Sequence, residues 1–273
     1  MRRLVPQDAW PESWRRSHDY DRLEIHGERP RCGYARAYAE RRRHTLELVA
    51  RAAPPPATLL DVAAAQGNFT LALAELGYQV TWNDLRGELA GFVRLKQTAG
   101  TVRFAPGNAF ELGLRDAFDI VLITEVIEHV AHPDAFLRHA AALVRPGGHL
   151  VMTTPNGRYF RNRLPRFSNH PNPATFEDRQ FQPDADGHIF LLHPDEIPPL
   201  AAAAGLDLLE LRLFGCPLTH GALGTEPCLR FLPNSAIQTV ERLVTHLPLL
   251  LRQRLCLSLA ALLQRPGPGR DSV

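Results

Sequence analysis

The chain has 273 residues, 45% of them hydrophobic and 22% charged, which suits one large α/β unit with additions and excludes a disordered chain. Lys+Arg 31 against Asp+Glu 29 leaves a net charge of +2, so no global positive field argues for nucleic acid or a membrane. Lys96 is the sole lysine; arginine supplies every other cation of the Lys/Arg class, which reads as codon usage before function. Cys32, Cys216, Cys228 and Cys256 have no C-x-x-C spacing and read as scattered thiols in a reducing compartment, with a Cys216–Cys228 bridge as the alternative. The N-terminal residues hold no apolar signal-peptide core. The apolar run from Leu247 to Leu263 is broken by Pro248, Arg252, Gln253 and Arg254, so it is no transmembrane span. A cytoplasmic protein is expected.

Residues 1–33 carry Trp, Arg, Pro and Asp without clear periodicity and are expected to be loosely structured. Tyr34 to Ala53 reads as a helix stopped by Pro54-Pro55-Pro56, so 1–56 forms a helical lead-in with the makings of a lid. Strand and helix then alternate. Thr58 to Val62, Tyr78 to Trp82, Thr101 to Phe104, Phe118 to Thr124, His149 to Thr154 and Leu206 to Phe214 read as strands. Phe69 to Leu76, Gly87 to Thr98, Pro133 to Leu143 and Pro194 to Ala204 read as helices. This rhythm predicts a parallel sheet covered on both faces. Residues 155–187, with Pro155, Pro165, Pro171, Pro173 and Pro183, interrupt it as an insertion of the lid type. Ser235 to His246 reads as helix, Leu255 to Gln264 as helix or closing strand, and 266–273 as a flexible tail after a domain spanning 57–265.

Asp61-Val62-Ala63-Ala64-Ala65-Gln66-Gly67 sits at the first strand-to-helix turn, where open α/β sheets bind ligands and small residues admit them to the backbone. Asp84 follows the second strand, roughly 20 residues on, where a carboxylate can accept both hydroxyls of a ribose. The bland alternative is a turn whose alanines merely pack a strand end against a helix.

That segment resembles the first motif of class I S-adenosylmethionine-dependent methyltransferases, usually D-x-G-x-G-x-G. Gly107-Asn108-Ala109 is similar to their adenine-reading Gly-Asp-Ala. Phe118 to Val121 followed by Glu125 to Val130 resembles their fourth motif, and Leu143 to Leu150 their L-x-P-G-G turn. The resemblance spans roughly 57–214 in motif order. It implies a Rossmann-like, doubly wound, seven-stranded and mostly parallel sheet with helices on both faces. It also implies S-adenosyl-L-methionine as cofactor, held by Asp61, Ala63, Ala65, Gly67, Asp84, Asn108 and Ala109. Ala63 and Ala65 depart from the family glycines: alanine favours negative φ, and each methyl narrows the path of the methionine moiety. Asn108 keeps hydrogen bonding without the usual charge. On helix Tyr34–Ala53, Arg36 is the candidate for the methionine carboxylate.

Glu125, Glu128 and His129 are spaced i, i+3, i+4, and on a helix they would share a face. Two carboxylates and an imidazole could hold Mg²⁺ or Mn²⁺. Glu-x-x-Glu-His resembles the polyprenyl-dihydroxybenzoate O-methyltransferases of ubiquinone synthesis and the small-RNA 3′-terminal 2′-O-methyltransferases. In the second branch a later histidine completes the site, for which His188 is placed. The candidate metal ligands are therefore Glu125, Glu128, His129 and His188; the catalytic candidates are His129, His188 and Glu128. Without a metal, Glu125 would cap a helix start and the others would meet solvent. Thr154-Pro155-Asn156-Gly157 resembles the T-P-N turn of the ubiquinone-type enzymes. Arg158, Arg161, Arg163 and Arg166, interleaved with Tyr159, Phe160 and Phe167, could hold phosphate, touch an anionic membrane peripherally, or form a solvated loop. O-methylation of a small metabolite, sugar, glycan or lipid-linked acceptor leads. RNA ribose 2′-O-methylation is disfavoured by the near-neutral charge, and a scaffold without activity is the third reading.

Overall fold

Period-two alternation of apolar residues decides how the sheet is covered. The computed structural model describes residues 1–28, 32–180, 187–229 and 231–268. Its strands are β1 (Thr58–Val62), β2 (Gln79–Trp82), β3 (Thr101–Phe104), β4 (Phe118–Thr124), β5 (Val144–Pro155), β6 (Asp207–Phe214) and β7 (Ser258–Gln264). They form one seven-stranded sheet in the order β3-β2-β1-β4-β5-β7-β6, as the resemblance implies. Every pairing is parallel except the two made by β7.

Leu59, Val80, Ile120, Leu122, Val151, Ala260 and Leu262 face one layer. There they meet Leu48 and Val49 of α2 (Gly33–Ala52) and Phe69 and Leu73 of α3 (Asn68–Glu75). Their alternates Leu60, Val121, Ile123, Leu150, Met152 and Ala261 face the other layer. Those contact Leu137 and Ala140 of α5 (Pro133–Leu143) and Ile197 and Ala201 of α6 (Ile197–Ala203). α4 (Leu89–Lys96) covers β2, with Leu89 and Val93 on Trp82 and Leu71.

The sequence reading needs correction at several places. Residues 1–33 are not loose throughout: Glu12–Glu24 is a helix, α1. Its buried residues are Ser17, His18 and Asp21, so no apolar stripe announced it. Asp21 receives the Lys96 ammonium on both oxygens, at 2.9 and 2.8 Å. Trp10 and Trp14, just before and within α1, pack on Phe92 at 5.7 and 5.8 Å between ring centres. The ambiguous end resolves as the strand β7, which threads antiparallel between β5 and β6 with Leu259 to Leu263 buried. Before it come α7 (Glu226–Leu229), α8 (Asn234–Thr245) and α9 (Leu249–Leu255); α9 lies in the run read as broken. The 155–187 insertion forms single 3-10 stretches at Phe167–Asn169 and Pro173–Arg179, and its residues 181–186 lie outside the described residues, as do 269–273 of the tail. All four cysteines are free thiols, so Cys216 and Cys228 form no bridge. Among the described residues no helix is long and apolar enough to cross a membrane.

Candidate active site

The turn from β1 to α3 alternates its handedness. Ala63, Ala65 and Gly67 all have positive φ, at 54°, 47° and 72°. Glycine is required at Gly67 for a second reason: a Cβ there would lie 2.8 Å from both Val93 methyls. The alanines thus occupy the conformation that the family glycines suit, at a cost of roughly 1–2 kcal/mol each. The end of β2 holds the turn open. Ala64 N donates to Asn83 O at 2.8 Å, Ala65 N to Asp84 Oδ2 at 2.8 Å, and Trp82 Nε1 to Ala65 O at 3.0 Å.

Asp84 is 3% exposed as a residue and stands at the end of β2. Besides Ala65 N, its carboxylate accepts Arg86 N at 2.9 Å and Arg86 Nε at 3.0 Å, while the Arg86 side chain itself is 55% exposed. Asn83 Nδ2 fastens the next loop through Ala105 O at 2.6 Å and Gly107 O at 2.9 Å. Asn108 then folds back on Glu111 and Phe110 N beside buried Ala109. Asp61 stands behind the turn and does not line the cleft. One oxygen accepts Thr70 Oγ1 at 2.6 Å and the other is buried without a partner. Burial pushes its carboxyl up to about 7, against the pull of the Thr70 hydrogen bonds.

These loops line a cleft of about 800 Å³ at the carboxyl ends of the strands, where the order reverses between β1 and β4. Ala63, Ala65, Asp84, Asn108 and Ala109 all border it. The N-terminal helices supply its other wall through Glu24, Tyr38 and Arg41. None of these three was singled out from the sequence, since α1 shows no periodicity and Arg41 sits in a run of three arginines. Arg36 does not reach the cleft; its NH2 group donates to Leu229 O at 3.3 Å, because it lies on the buried side of α2. Glu24 binds the β1–α3 turn, accepting Gln66 Nε2 at 3.0 Å and Asn68 Nδ2 at 2.8 Å, and takes the Tyr34 hydroxyl at 2.5 Å. Burial raises its carboxyl above the usual range.

After β4 the expected helix does not form. Glu125 has φ 53°, and Ile127–His129 is a single 3-10 turn, so the i, i+3, i+4 face does not exist. Glu125 accepts Thr153 Oγ1 at 3.0 Å and lies 3.4 Å from Arg41 NH2. Glu128 goes elsewhere. It is fully buried, accepts Thr154 Oγ1 at 2.9 Å, and leaves Oε1 without a hydrogen-bond partner. Burial, then the Glu125 charge, raises its carboxyl well above the usual range. His188, just past the insertion, meets His129 edge to face, with ring centres 4.9 Å apart. Ligand atoms of Glu128, His129 and His188 all lie within 4.8 Å of one another. Glu125 is not of that group. A buried carboxylate oxygen lacking a partner beside two imidazoles is a donor set that accepts a divalent ion, and two nitrogens make Mn²⁺ at least as suitable as Mg²⁺. Arg161 and Arg166 of the insertion are engaged with Ala222 O at 2.9 Å and Asp195 at 2.6 Å.

A family model described as a methyltransferase domain matches residues 34–211, the stretch from α2 to within β6. The chain belongs to the class I S-adenosylmethionine-dependent methyltransferases. This methyltransferase is similar to the ubiquinone biosynthesis O-methyltransferase of Paramagnetospirillum magneticum, 39% identical over 101 residues, 36% of this chain and 41% of that protein. It is also similar to the protein of the same name from Xanthomonas campestris, 33% identical over 139 residues, 45% of this chain and 58% of the other. The matches thus span about half the length of these curated relatives. Among solved structures, an S-adenosylmethionine-dependent methyltransferase from Mesorhizobium loti superposes with a TM-score of 0.55 at 16% identity, covering 82% of this chain and 96% of its own. That likeness is one of fold.

Proposed function

We propose that this methyltransferase binds S-adenosylmethionine in the cleft and methylates a hydroxyl of a small metabolite, sugar, glycan or lipid-linked acceptor. The observation that carries the reading is the meeting of Glu128, His129 and His188 beside a cleft that Asp84 and Asn108 also border. The ubiquinone-type names of the partial relatives support O-methylation. The residues fit the cofactor. Ala63 and Ala65 bring small side chains to the cleft while Gly67 packs behind them on Val93, Asp84 offers a carboxylate to ribose hydroxyls once Arg86 swings outward, and Asn108 and Ala109 border the adenine end. Arg41 takes the carboxylate role first expected of Arg36, with Tyr38 and Glu24 excluding water at that end.

The cofactor supplies an electrophilic methyl group. The chain orients donor and acceptor in line and takes up the acceptor proton, for which the imidazoles of His129 and His188 are the bases. In the alternative arrangement, a divalent ion held by Glu128, His129 and His188 would occupy those imidazoles and supply Lewis acidity to an acceptor oxygen in place of a histidine base. Calorimetry with S-adenosylhomocysteine, with and without Mg²⁺ or Mn²⁺, tests the reading. Binding near one to one is expected, with a metal heat that His188→Ala removes. No binding by folded protein would leave a scaffold that kept the fold without the chemistry.

A further inference from the structure

Between β6 and β7 the chain leaves the sheet, and its helices there expose leucines that a core would bury. Leu249, Leu250 and Leu251 of α9 are 54%, 70% and 48% exposed, and Leu243 of α8 is 62% exposed. Phe231 reaches 86% and Phe160, in the neighbouring insertion, 47%. Beneath them runs a groove of about 310 Å³ whose lining, including Val240, Leu247 and Leu255, is wholly apolar. Exposed cations accompany these side chains: Arg242 and Arg254 on the same helices, and Arg161 and Arg163 on the insertion, where Phe160 N donates to Arg254 O and Arg161 to Ala222 O. Residues 215–257 contain two carboxylates, Glu226 and Glu241. Glu241 is turned inward, accepting Cys216 N and the Thr219 hydroxyl.

We propose that this face docks on an anionic lipid bilayer. Leucines that enter the acyl boundary, flanked by arginines at headgroup level, are what a surface-bound short helix needs. A second copy of the chain is the poorer occupant, because a two-fold contact would set arginine against arginine across the axis. The surface adjoins the catalytic candidates. Asn156 Nδ2 donates to Gln253 O at 2.8 Å and Cys256 O at 2.7 Å, and Phe160 N to Arg254 O at 3.0 Å. Asn156 lies just past Thr154, whose hydroxyl binds Glu128. Docking therefore sets the acceptor side of the cleft at the bilayer, and the inference does not depend on which acceptor is used.

Flotation of the full chain with vesicles of phosphatidylcholine, alone or mixed with phosphatidylglycerol, tests it. The protein floats with the anionic vesicles and is released by salt. Replacing Arg242 and Arg254 together by Gln lowers partitioning about 30-fold, the loss due to two cations near an anionic surface. The exposed pair Leu249→Ser and Leu250→Ser abolishes flotation without lowering the unfolding midpoint. No flotation of the wild type, flotation indifferent to both variants, or a leucine-dependent dimer in light scattering without lipid would overturn the proposal. S-adenosylhomocysteine binding on the same samples reports the cleft separately, so failure of either reading leaves the other standing.

Discussion

Ala63 and Ala65 hold left-handed backbone that a methyl group disfavours, yet three hydrogen bonds to the end of β2 keep the turn in place. Ala63→Gly and Ala65→Gly each relieve roughly 1–2 kcal/mol of strain and add about 0.4–1 kcal/mol of unfolded-state entropy. Each is therefore expected to raise stability by about 0.5–1 kcal/mol in urea unfolding. Asp84→Asn keeps the shape and removes a charge that borders the cleft. A loss of about 1.5–3 kcal/mol follows for a hydrogen bond to a charged group, read as 10- to 100-fold weaker S-adenosylhomocysteine binding in calorimetry. Asp61 has the opposite sense. Its folded value, about 7, exceeds the unfolded one, so the folded state holds the proton more tightly. Its contribution is fully present below about pH 4 and is lost as pH rises towards 7. Asp61→Asn should gain on the wild type over that window, at a slope of up to ~1.4 kcal/mol per pH unit, in urea melts run across it.

Helix α1 is an element that polar burial builds. The Lys96 ammonium, 2% exposed, also donates to Asn68 Oδ1 at 2.7 Å, so one cation ties α1, α4 and the first residue of α3 together. Glu24, three residues beyond Asp21, reaches the same Asn68 from the other side. Lys96→Ala strands the Asp21 carboxylate and is expected to cost about 3–5 kcal/mol. Hydrogen exchange should show α1 opening first, and adding Asp21→Ala should restore part of the loss. In the sequence a lysine and an aspartate 75 residues apart look like solvated charge, which is why the element stayed hidden. Apolar periodicity, by contrast, located β1, β3, β4 and α5 to the residue. The stretch after β4 failed for another reason: Glu125 takes φ 53° because its carboxylate is captured by Thr153 and Arg41, and that bends the chain out of the helix the spacing suggested.

At the scale of the whole molecule, the connections that follow β1 and β4 turn to opposite faces of the sheet beside a cleft whose remaining wall is borrowed from α1 and α2. A ligand bridging both walls binds only the folded state. S-adenosylhomocysteine at about 100 times its Kd should therefore raise the unfolding free energy by about 2.7 kcal/mol, visible as a concentration-dependent rise in Tm. The ordered motifs and the alternating strands and helices made the sheet, its helical cover and the loops that line the cleft legible, because each is read from a pattern of residues near in the chain. Tertiary structure alone decided the rest. Hydrophobic packing inserted β7 between β5 and β6, and burial paired Asp21 with Lys96. The meeting of His188 with His129 and Glu128, which only the motif resemblance suggested, is likewise made by the return of the chain after the insertion. Those contacts join residues far apart in sequence, where neither spacing nor composition carries a trace of the distance between side chains.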